Sequence, residues 1–446
     1  MEKYDYDVII IGAGPGGLAA AYQLSATHKV LVVEKHLWGG TCPNYGCDPK
    51  KMLYGIVETQ RQAQKYKHNG LEDTAHLKVN WHDMMQFKRF YTNQIPGGTE
   101  NGLTNADIDH IAGTCHFLNA HQIQVNERQI SAQYFIIATG AEASIPDIEG
   151  SNWLKTSTDF LDEDSLPAKI AFIGGGYVAI ELANIAVSAG AEVHIFQHNS
   201  RVLRNFPEEY TQKLVSLLTE KGIIFHFNDT ITGVKKGAHT FQVTSQHQQS
   251  LSVDAIYAAT GRHASVGSLN LENTTAAYTS KGISVNDHLQ TDAPNIFAVG
   301  DVIDKKIPKL TPVASFEGRY VAQQIKKISA SIQYPVVPHT VFSGPELSQV
   351  GVSLETAEQH PELFKINSAS VGKWYTYNRL LDTDAQVTVI LNQQDQTVAG
   401  AVVLASNAEE LINYFTLMIK NKTTVNDLKN FIPVYPSVAS DLTYYM

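Results

Sequence analysis

Residues 6–34 read YDVIIIGAGPGGLAAAYQLSATHKVLVVE, and this stretch decides the fold of the N-terminal part of the chain. The apolar run Tyr6–Ile11 is typical of a buried parallel strand. A helix is predicted from about Pro15 to Ala26, and Lys29–Glu34 is predicted as the next strand. This order of elements predicts a βαβ unit.

The glycines between the first strand and the helix have the spacing of a nucleotide-binding turn. Gly12 permits the tight turn, Gly14 lets a pyrophosphate approach the backbone, and Gly17 permits close packing of helix on strand. The helix N-terminus favours an anion. Glu34 ends the second strand and can accept a hydrogen bond from a ribose 2′-hydroxyl. Together these features predict a dinucleotide site rather than a merely glycine-rich turn.

A second βαβ unit begins at Lys169–Ile173, which is predicted as a strand. Gly174, Gly176 and Ala179 occupy the places of the three glycines, and the helix is predicted to reach about Ala189. Glu192–Phe196 is predicted as the following strand. The chain therefore carries two units of the same design.

The end of that second strand differs from the end of the first. Gln197 stands where the first unit has an acid, and His198, Arg201 and Arg204 follow it. A missing carboxylate with nearby cations suits a ribose 2′-phosphate, which favours NADPH over NADH. The alternative is that these cations are solvated surface charges.

The C-terminal part of the chain predicts an α+β region. Alternating strands are expected around Val336–Val352 and Gln386–Leu404. Helices are expected near Asn407–Lys420 and Val425–Phe431.

Composition excludes several classes of protein. The 446 residues include 34 Lys and Arg against 44 Asp and Glu, a formal net charge of −10, so sequence-independent binding to nucleic acid is not expected. The polybasic runs that favour an anionic membrane are missing. Val8–Ala21 is apolar but too short to span a bilayer. Three cysteines are too few for a secreted disulfide scaffold, and we expect a cytoplasmic protein that binds neither membrane nor nucleic acid.

The most informative stretch is residues 39–51, GGTCPNYGCDPKK. Cα atoms five residues apart in a regular helix are roughly 8–9 Å apart, whereas a disulfide needs less than about 7 Å. A bond between Cys42 and Cys47 would therefore need a distorted backbone, which Pro43 and Gly46 make feasible. A helix N-terminus and a nearby lysine lower the pKa of a thiol. Two local thiols are too few for a metal site, and accidental spacing is the remaining alternative.

This stretch closely resembles the redox-active site of the class I pyridine nucleotide–disulfide oxidoreductases. That family includes glutathione reductase, dihydrolipoyl dehydrogenase and mercuric reductase. Further motifs in the family order extend the resemblance over nearly the whole chain: Thr139-Gly140, Gly175–Glu181, Asn295–Asp301, Leu310–Ala314 and Val341–Glu346.

The resemblance implies an α/β fold with two Rossmann-like dinucleotide-binding domains and a C-terminal α+β dimerisation domain. The FAD-binding domain would comprise 1–149 and 266–330. The NAD(P)-binding domain would be 150–265, and the dimerisation domain 331–446. A homodimer is implied as well.

The resemblance also implies a set of cofactor-binding residues for FAD and NADPH. They are Gly12, Gly14, Gly17, Glu34, Thr41, Lys51, Thr139, Gly140, Gly174, Gly176, Tyr177, Ala179, His198, Arg201, Arg204, Gly261, Gly300, Asp301 and Thr311. Tyr177 matches a tyrosine that covers the nicotinamide pocket, with ordinary core packing as the alternative. No metal ligand is implied.

The catalytic roles follow from the same resemblance. Hydride would pass from NADPH to FAD, and the flavin would reduce the disulfide. Cys47 would be the thiol nearest the flavin, and Cys42 the thiol that attacks the substrate. Glu181 matches a glutamate that pairs with a lysine beside the flavin. Lys50 or Lys51 could be that lysine, and Pro-Lys-Lys favours Lys50.

One catalytic motif departs from the family pattern. The family places His-Pro-Thr-x-x-Glu near the C-terminus as an acid–base pair, whereas this chain has Tyr435 at the His position and Ser440 at the Glu position. A tyrosine with an ordinary pKa near 10 is a poorer proton shuttle at neutral pH than histidine. Mercuric reductases also place a tyrosine here, but they add a vicinal cysteine pair that the ending Leu442–Met446 lacks.

The predicted function is an NADPH-dependent, FAD-containing reductase of a small-molecule disulfide, similar to glutathione reductase. An alternative is a reductase of metal ions or quinones, since such soft acceptors need no proton on a leaving thiolate. Dihydrolipoyl dehydrogenase is a further alternative. A flavin redox sensor with low turnover is the least favoured.

Overall fold

The computed structural model describes residues 4–247, 250–326 and 330–446. The chain divides into two compact units. The first comprises Met1–Lys50, Gln86–Ser144 and Gly261–Gln333. The second comprises Lys51–Met85, Ile145–Thr260 and Tyr334–Met446.

The strands are numbered in chain order through the described residues. They are β1 Tyr6–Ile11, β2 Val30–Glu34, β3 Asp109–Ala112, β4 Cys115–Asn119, β5 Gln122–Val125, β6 Arg128–Ile137, β7 Ala141–Ala143, β8 Lys169–Ile173, β9 Glu192–Gln197, β10 Ile223–Phe227, β11 Ile231–Lys236, β12 Phe241–Ser245, β13 Ser250–Val253, β14 Ala255–Ala258, β15 Arg262–Ala264, β16 Tyr278–Thr279, β17 Gly282–Ile283, β18 Ile296–Ala298, β19 His339–Val341, β20 Glu346–Gly351, β21 Phe364–Ser370, β22 Gln386–Asn392 and β23 Val398–Ala405.

The α-helices are numbered in the same way. They are α1 Pro15–Leu24, α2 Thr41–Tyr45, α3 Cys47–Lys65, α4 Trp81–Thr92, α5 Ile95–Asn105, α6 Ser157–Phe160, α7 Tyr177–Ser188, α8 Glu208–Glu220, α9 Thr311–Ile325, α10 Leu354–Gln359, α11 Tyr375–Asn378 and α12 Ala408–Lys420.

The first unit is built on a sheet in the order β3-β2-β1-β6-β5-β4, with β18 also paired to β6. β1 lies between β2 and β6 and is parallel to both. The apolar side chains of β1 and β2 explain this central place, because strands of a parallel sheet are covered on both faces. The carboxyl ends of β1, β2, β6 and β18 therefore meet at one edge, where open α/β sheets bind their ligands.

The second unit repeats this arrangement in the parallel sheet β10-β9-β8-β14. β8 lies between β9 and β14, so the turns after these three strands share one edge. An antiparallel sheet of β11-β12-β13 and a five-stranded antiparallel sheet, β19-β20-β23-β22-β21, complete the unit. The α12 helix packs on β20 and β23 of that last sheet, which gives the predicted α+β region.

Candidate active site

The cysteine stretch is interrupted between its two thiols. Helix α2 contains Cys42 and ends at Tyr45, and helix α3 begins at Cys47. Gly46 separates the helices with φ −130° and ψ −114°. A Cβ atom at Gly46 would lie 2.8 Å from the carbonyl oxygen of Thr41, so the close approach requires glycine. The distorted backbone predicted between the cysteines is thus confirmed.

The two thiols interact directly. Cys42 is partly buried and Cys47 is exposed, and both are unbonded thiols in this structure. The hydrogen bond to Cys47, followed by burial, raises the pKa of Cys42 well above its ordinary range. The expectation of a lowered thiol pKa is therefore wrong for Cys42, because the neighbouring sulfur and burial both favour the neutral thiol.

Cys47 also faces the start of another helix. Its Sγ lies 3.9 Å from Oγ1 of Thr311, the first residue of α9. A helix N-terminus favours a negative charge. This contact brings two of the predicted site residues together within the first unit.

Two side chains beside Cys42 were given no role from the sequence. Asp48 Oδ1 lies 3.7 Å from the Cys42 sulfur, and the Tyr91 hydroxyl donates to Asp48 Oδ2 at 2.7 Å. Asp48 could have been noticed, because it directly follows Cys47. Tyr91 carries no such signal, because it lies far from Asp48 along the sequence, in helix α4.

The first nucleotide-binding turn has the predicted geometry. Gly12 has φ +107°, and a Cβ there would lie 2.3 Å from the carbonyl oxygen of Ala138. Gly14 precedes α1, whose N-terminus is left open to an anion. The Glu34 carboxylate accepts the backbone N–H groups of Ala13 at 2.7 Å and His36 at 2.8 Å. Glu34 thus holds the turn in place. It also lies at the position predicted to accept a hydrogen bond from a ribose hydroxyl.

The first unit also holds polar atoms that suit a large polar cofactor. Oγ1 of Thr139 and Oδ1 of Asn44 are buried, and neither has a hydrogen-bond partner among the described residues. A Cβ at Gly140 would meet no described atom within 4 Å. Buried polar groups are ordinarily hydrogen-bonded, so these orphaned oxygens and the open space fit a bound FAD.

The motif at Asn295–Asp301 is held by a buried ion pair. Glu317 is fully buried and accepts the N–H of Gly300 at 2.6 Å. Lys305 Nζ lies 2.7 Å from the other oxygen of the same carboxylate. Asp301 follows Gly300 in the short 3₁₀ turn Gly300–Val302. The pair therefore sets the backbone of this motif.

The second nucleotide-binding turn lies in the second unit. Gly174 has φ +104°, and Gly176 precedes α7 with no described atom within 4 Å of a Cβ placed there. The amide oxygen of Gln197 accepts the N–H of Gly175 at 2.7 Å. Ala179 is fully buried at the third position. The space beside Gly176 is therefore available to a ligand, whereas the third position, Ala179, is enclosed by the protein.

The predicted cations after β9 are arranged in two ways. His198 and Arg204 are exposed, and an Arg204 nitrogen lies 3.2 Å from His198 Nε2. Arg201 instead donates to the carbonyl oxygen of Phe206 and lies 3.6 Å from Glu208. Arg201 thus stabilises the loop through these contacts, while His198 and Arg204 are exposed to solvent.

Glu181 lies at the centre of another group in the second unit. Lys51 Nζ is 2.9 Å from Glu181 Oε2, and the N–H of Phe342 donates to Oε1 at 3.0 Å. Lys51 also lies over the Phe342 ring, 3.6 Å from its centroid. Lys50, the preceding residue, belongs to the first unit and is buried.

Two predicted tyrosines are exposed in the second unit. Tyr177 is 48% exposed at the start of α7, which rules out ordinary core packing. Tyr435 is 69% exposed, and its ring stacks on that of Tyr375 with centroids 6.1 Å apart. Ser440, at the position of the family's glutamate, donates to the carbonyl oxygen of Ser437.

The predicted site residues divide between the two units. The first unit contains Gly12, Gly14, Gly17, Glu34, Thr41, Cys42, Cys47, Lys50, Thr139, Gly140, Gly261, Gly300, Asp301 and Thr311. The second contains Lys51, Gly174, Gly176, Tyr177, Ala179, Glu181, His198, Arg201, Arg204 and Tyr435.

Membrane-spanning helices were sought in all three described segments of the chain, and no helix there is long and apolar enough to cross a bilayer.

Comparisons with known proteins agree with this geometry. The family model of pyridine nucleotide-disulphide oxidoreductases matches residues 6–318, and that of their dimerisation domain matches residues 337–444. The chain is 32% identical to a glutathione reductase of Burkholderia cepacia over 99% of this chain and 98% of that one. It is 30% identical to a mercuric reductase of Staphylococcus aureus over 98% of this chain and 81% of that one. The solved structure of the HOCl-induced flavoprotein disulfide reductase RclA from Escherichia coli superimposes with a TM-score of 0.89 at 26% identity, covering 99% of both chains.

Proposed function

The chain belongs to the pyridine nucleotide-disulphide oxidoreductase family, and on that basis we propose that it carries electrons from NADPH, through FAD, to Cys42 and Cys47 and on to a small-molecule disulfide. The observation that supports this most directly is the pair of neighbouring thiols on either side of Gly46, which interact closely enough to raise the pKa of Cys42. Two thiols in this relation can close to a disulfide and reopen, which is what a two-electron exchange with a substrate disulfide requires.

FAD, when bound, supplies the conversion of a hydride into an electron pair for the thiols. The chain's own residues hold the reacting sulfurs in position and set their charge. We assign Cys47 to the flavin side, because its sulfur faces Thr311 at the N-terminus of α9, which favours a negative charge there. Cys42 attacks the substrate. Lys50 supplies positive charge beside the flavin. Lys51, the next residue of the same helix, is paired with Glu181.

NADPH is the proposed electron donor. Gln197 holds the second turn with a neutral amide, so no carboxylate opposes a 2′-phosphate there. Exposed Arg204 supplies positive charge close by, and His198 lies beside it. Arg201 positions the loop that carries Arg204.

The dimerisation domain supports a homodimer. We propose that the FAD-binding domain comprises residues 1–149 and 266–330, the NAD(P)-binding domain 150–265, and the dimerisation domain 331–446. The low cysteine content supports a cytoplasmic location.

The test is anaerobic NADPH oxidation by the purified protein, with oxidised glutathione as the sole acceptor. We expect a rate on the order of tens per second, within the ordinary range of enzymes. Prompt flavin reduction with negligible turnover would reject glutathione disulfide and leave the electron entry intact.

Tyr435 favours a second candidate, a reductase of metal ions or quinones. Such acceptors leave no thiolate to be protonated, so they do not need the missing histidine. The same anaerobic assay with a quinone in place of the disulfide separates the candidates. A quinone rate well above the disulfide rate would favour the second.

A further inference from the structure

Two polar side chains, Asp48 and Tyr91, form a hydrogen-bonded series with the Cys42 thiol. The Cys42 sulfur lies 3.7 Å from Asp48 Oδ1, and Asp48 Oδ2 accepts the hydroxyl of Tyr91 at 2.7 Å. Tyr91 is 37% exposed, so the series leads from the partly buried sulfur to solvent. All three residues belong to the first unit.

Disulfide exchange needs a proton acceptor and a proton donor at this sulfur. The attacking group is the thiolate, so Cys42 must lose its proton, and the leaving thiolate must gain one. The family's histidine and glutamate are replaced by Tyr435 and Ser440. The step therefore lacks its usual acid–base pair.

We propose that Asp48 is the acid–base residue of disulfide exchange in this protein, with Tyr91 as its positioning residue. The inference rests on the proposed function, since it assigns Cys42 to the attack on a substrate disulfide. Asp48 is placed for this role because its carboxylate lies 3.7 Å from the reacting sulfur, within the longer hydrogen-bond range of a sulfur donor, and such contacts tighten when substrate binds.

The proposed step balances in protons and electrons. The proton of Cys42 passes to Asp48 as the Cys42 sulfur bonds to one substrate sulfur. The substrate S–S bond breaks, its electron pair leaves on the other sulfur, and that thiolate takes the proton from Asp48. The Cys47 thiolate then attacks Cys42 and closes the protein disulfide. The second leaving thiolate takes a proton from water.

The charges around these groups explain why a local proton acceptor is useful. Hydrogen bonding to Cys47 and burial raise the pKa of Cys42, the Asp48 charge raises it further, and Thr311 lowers it. Cys42 therefore stays protonated at neutral pH unless a neighbour takes the proton. The hydrogen bond to Asp48, with some burial and the charge of Asp48, raises the pKa of Tyr91 to about 12. Tyr91 thus remains a donor that holds the carboxylate in position.

The test is the pH dependence of Cys42 alkylation by iodoacetamide in the pre-reduced holoenzyme, followed by peptide mass analysis. In Asp48→Asn we expect labelling at pH 7 to slow by about tenfold or more and to recover as the pH rises, since general acid–base groups contribute roughly 10²–10⁴-fold. If Asp48 acted only as a nearby charge, its removal would lower the thiol pKa and labelling at pH 7 would be faster. Unchanged or faster labelling overturns the proposal.

Further variants separate a chemical role from a structural one. Asp48→Glu should restore labelling at least in part, and Tyr91→Phe should slow it by less than Asp48→Asn does. Glu272→Gln and Tyr278→Phe are matched controls, because both side chains are exposed elsewhere in the first unit. Equal slowing in these controls would also overturn the proposal.

Reoxidation of the reduced protein by oxidised glutathione distinguishes this inference from the proposed function. Asp48→Asn should slow reoxidation while the rate of flavin reduction by NADPH stays that of the wild type. If the wild-type protein is itself not reoxidised, the proposed substrate is wrong, and the labelling profile still decides the role of Asp48.

Discussion

The side-chain oxygen of Gln197 lies 2.7 Å from the backbone nitrogen of Gly175 and accepts its N–H. Glu34 makes the same contact with Ala13 at the same distance in the first unit. The two turns are thus fixed by equivalent contacts, one from a carboxylate and one from a neutral amide. The neutral amide holds the second turn without placing a negative charge beside the ribose.

Gln197→Glu is expected to move coenzyme preference toward NADH. The new carboxylate can keep the contact with Gly175, and it would repel a 2′-phosphate. We expect the ratio of kcat/KM for NADPH to that for NADH to fall by about tenfold or more, about 1.4 kcal/mol. Gln393→Glu, on an exposed loop, is the matched control. An unchanged ratio would contradict the role given to Gln197.

Arg204→Gln is expected to weaken NADPH selectively. A charge-assisted contact to phosphate contributes about 1.5–3 kcal/mol, so KM for NADPH should rise by about tenfold or more. KM for NADH should change little, because NADH lacks the phosphate. Arg379→Gln, an exposed arginine of the second unit, is the control. Equal losses for both coenzymes would mean that Arg204 supports the loop rather than the phosphate.

Tyr435→His is expected to raise kcat/KM for oxidised glutathione at neutral pH. An imidazole can take up and release a proton close to neutral pH, so it can give a proton to a leaving thiolate. The rate with a quinone should not change. Tyr414→His on α12 is the control. If both acceptors respond alike, proton delivery is not what the substitution alters.

Lys305→Met is expected to destabilise the protein by about 3–5 kcal/mol, because it leaves the fully buried Glu317 carboxylate without its partner. Urea unfolding measures this loss. The double variant Lys305→Met with Glu317→Gln should recover most of the stability, since a neutral amide can still accept the N–H of Gly300. A single variant as stable as the wild type would show that the pair does not hold this motif.

Much of the fold follows from local patterns in the sequence. β1 and β8 have the predicted bounds. A continuous apolar run that stops at a glycine turn leaves few other positions at which the strand could begin or end. The family resemblance and the α/β fold are confirmed. The helix predicted at Val425–Phe431 is only a 3₁₀ turn at Asp427–Asn430. There Thr424 and Asp427 bond to each other in the manner of a capping box, which begins a helical turn, and Pro433 follows closely, so the turn cannot continue as a long helix.

The candidate site was less completely predicted. The spacing of Cys42 and Cys47 predicted a backbone break, and Gly46 provides it. The raised pKa of Cys42 could not be predicted, because it depends on which sulfur donates the hydrogen bond. The contact of Asp48 with Tyr91 depends on how helix α4 packs, and no local pattern encodes that.

The most direct test of electron transfer to the thiol pair is trapping with iodoacetamide after anaerobic reduction by NADPH. The protein is first oxidised, then given one equivalent of NADPH, and labelled peptides are compared with a sample that received none. We predict new labels on Cys42 and Cys47, and no change at Cys115, which is buried at the start of β4. If the flavin is reduced and neither Cys42 nor Cys47 gains a label, the proposed path of electrons through the thiol pair is wrong.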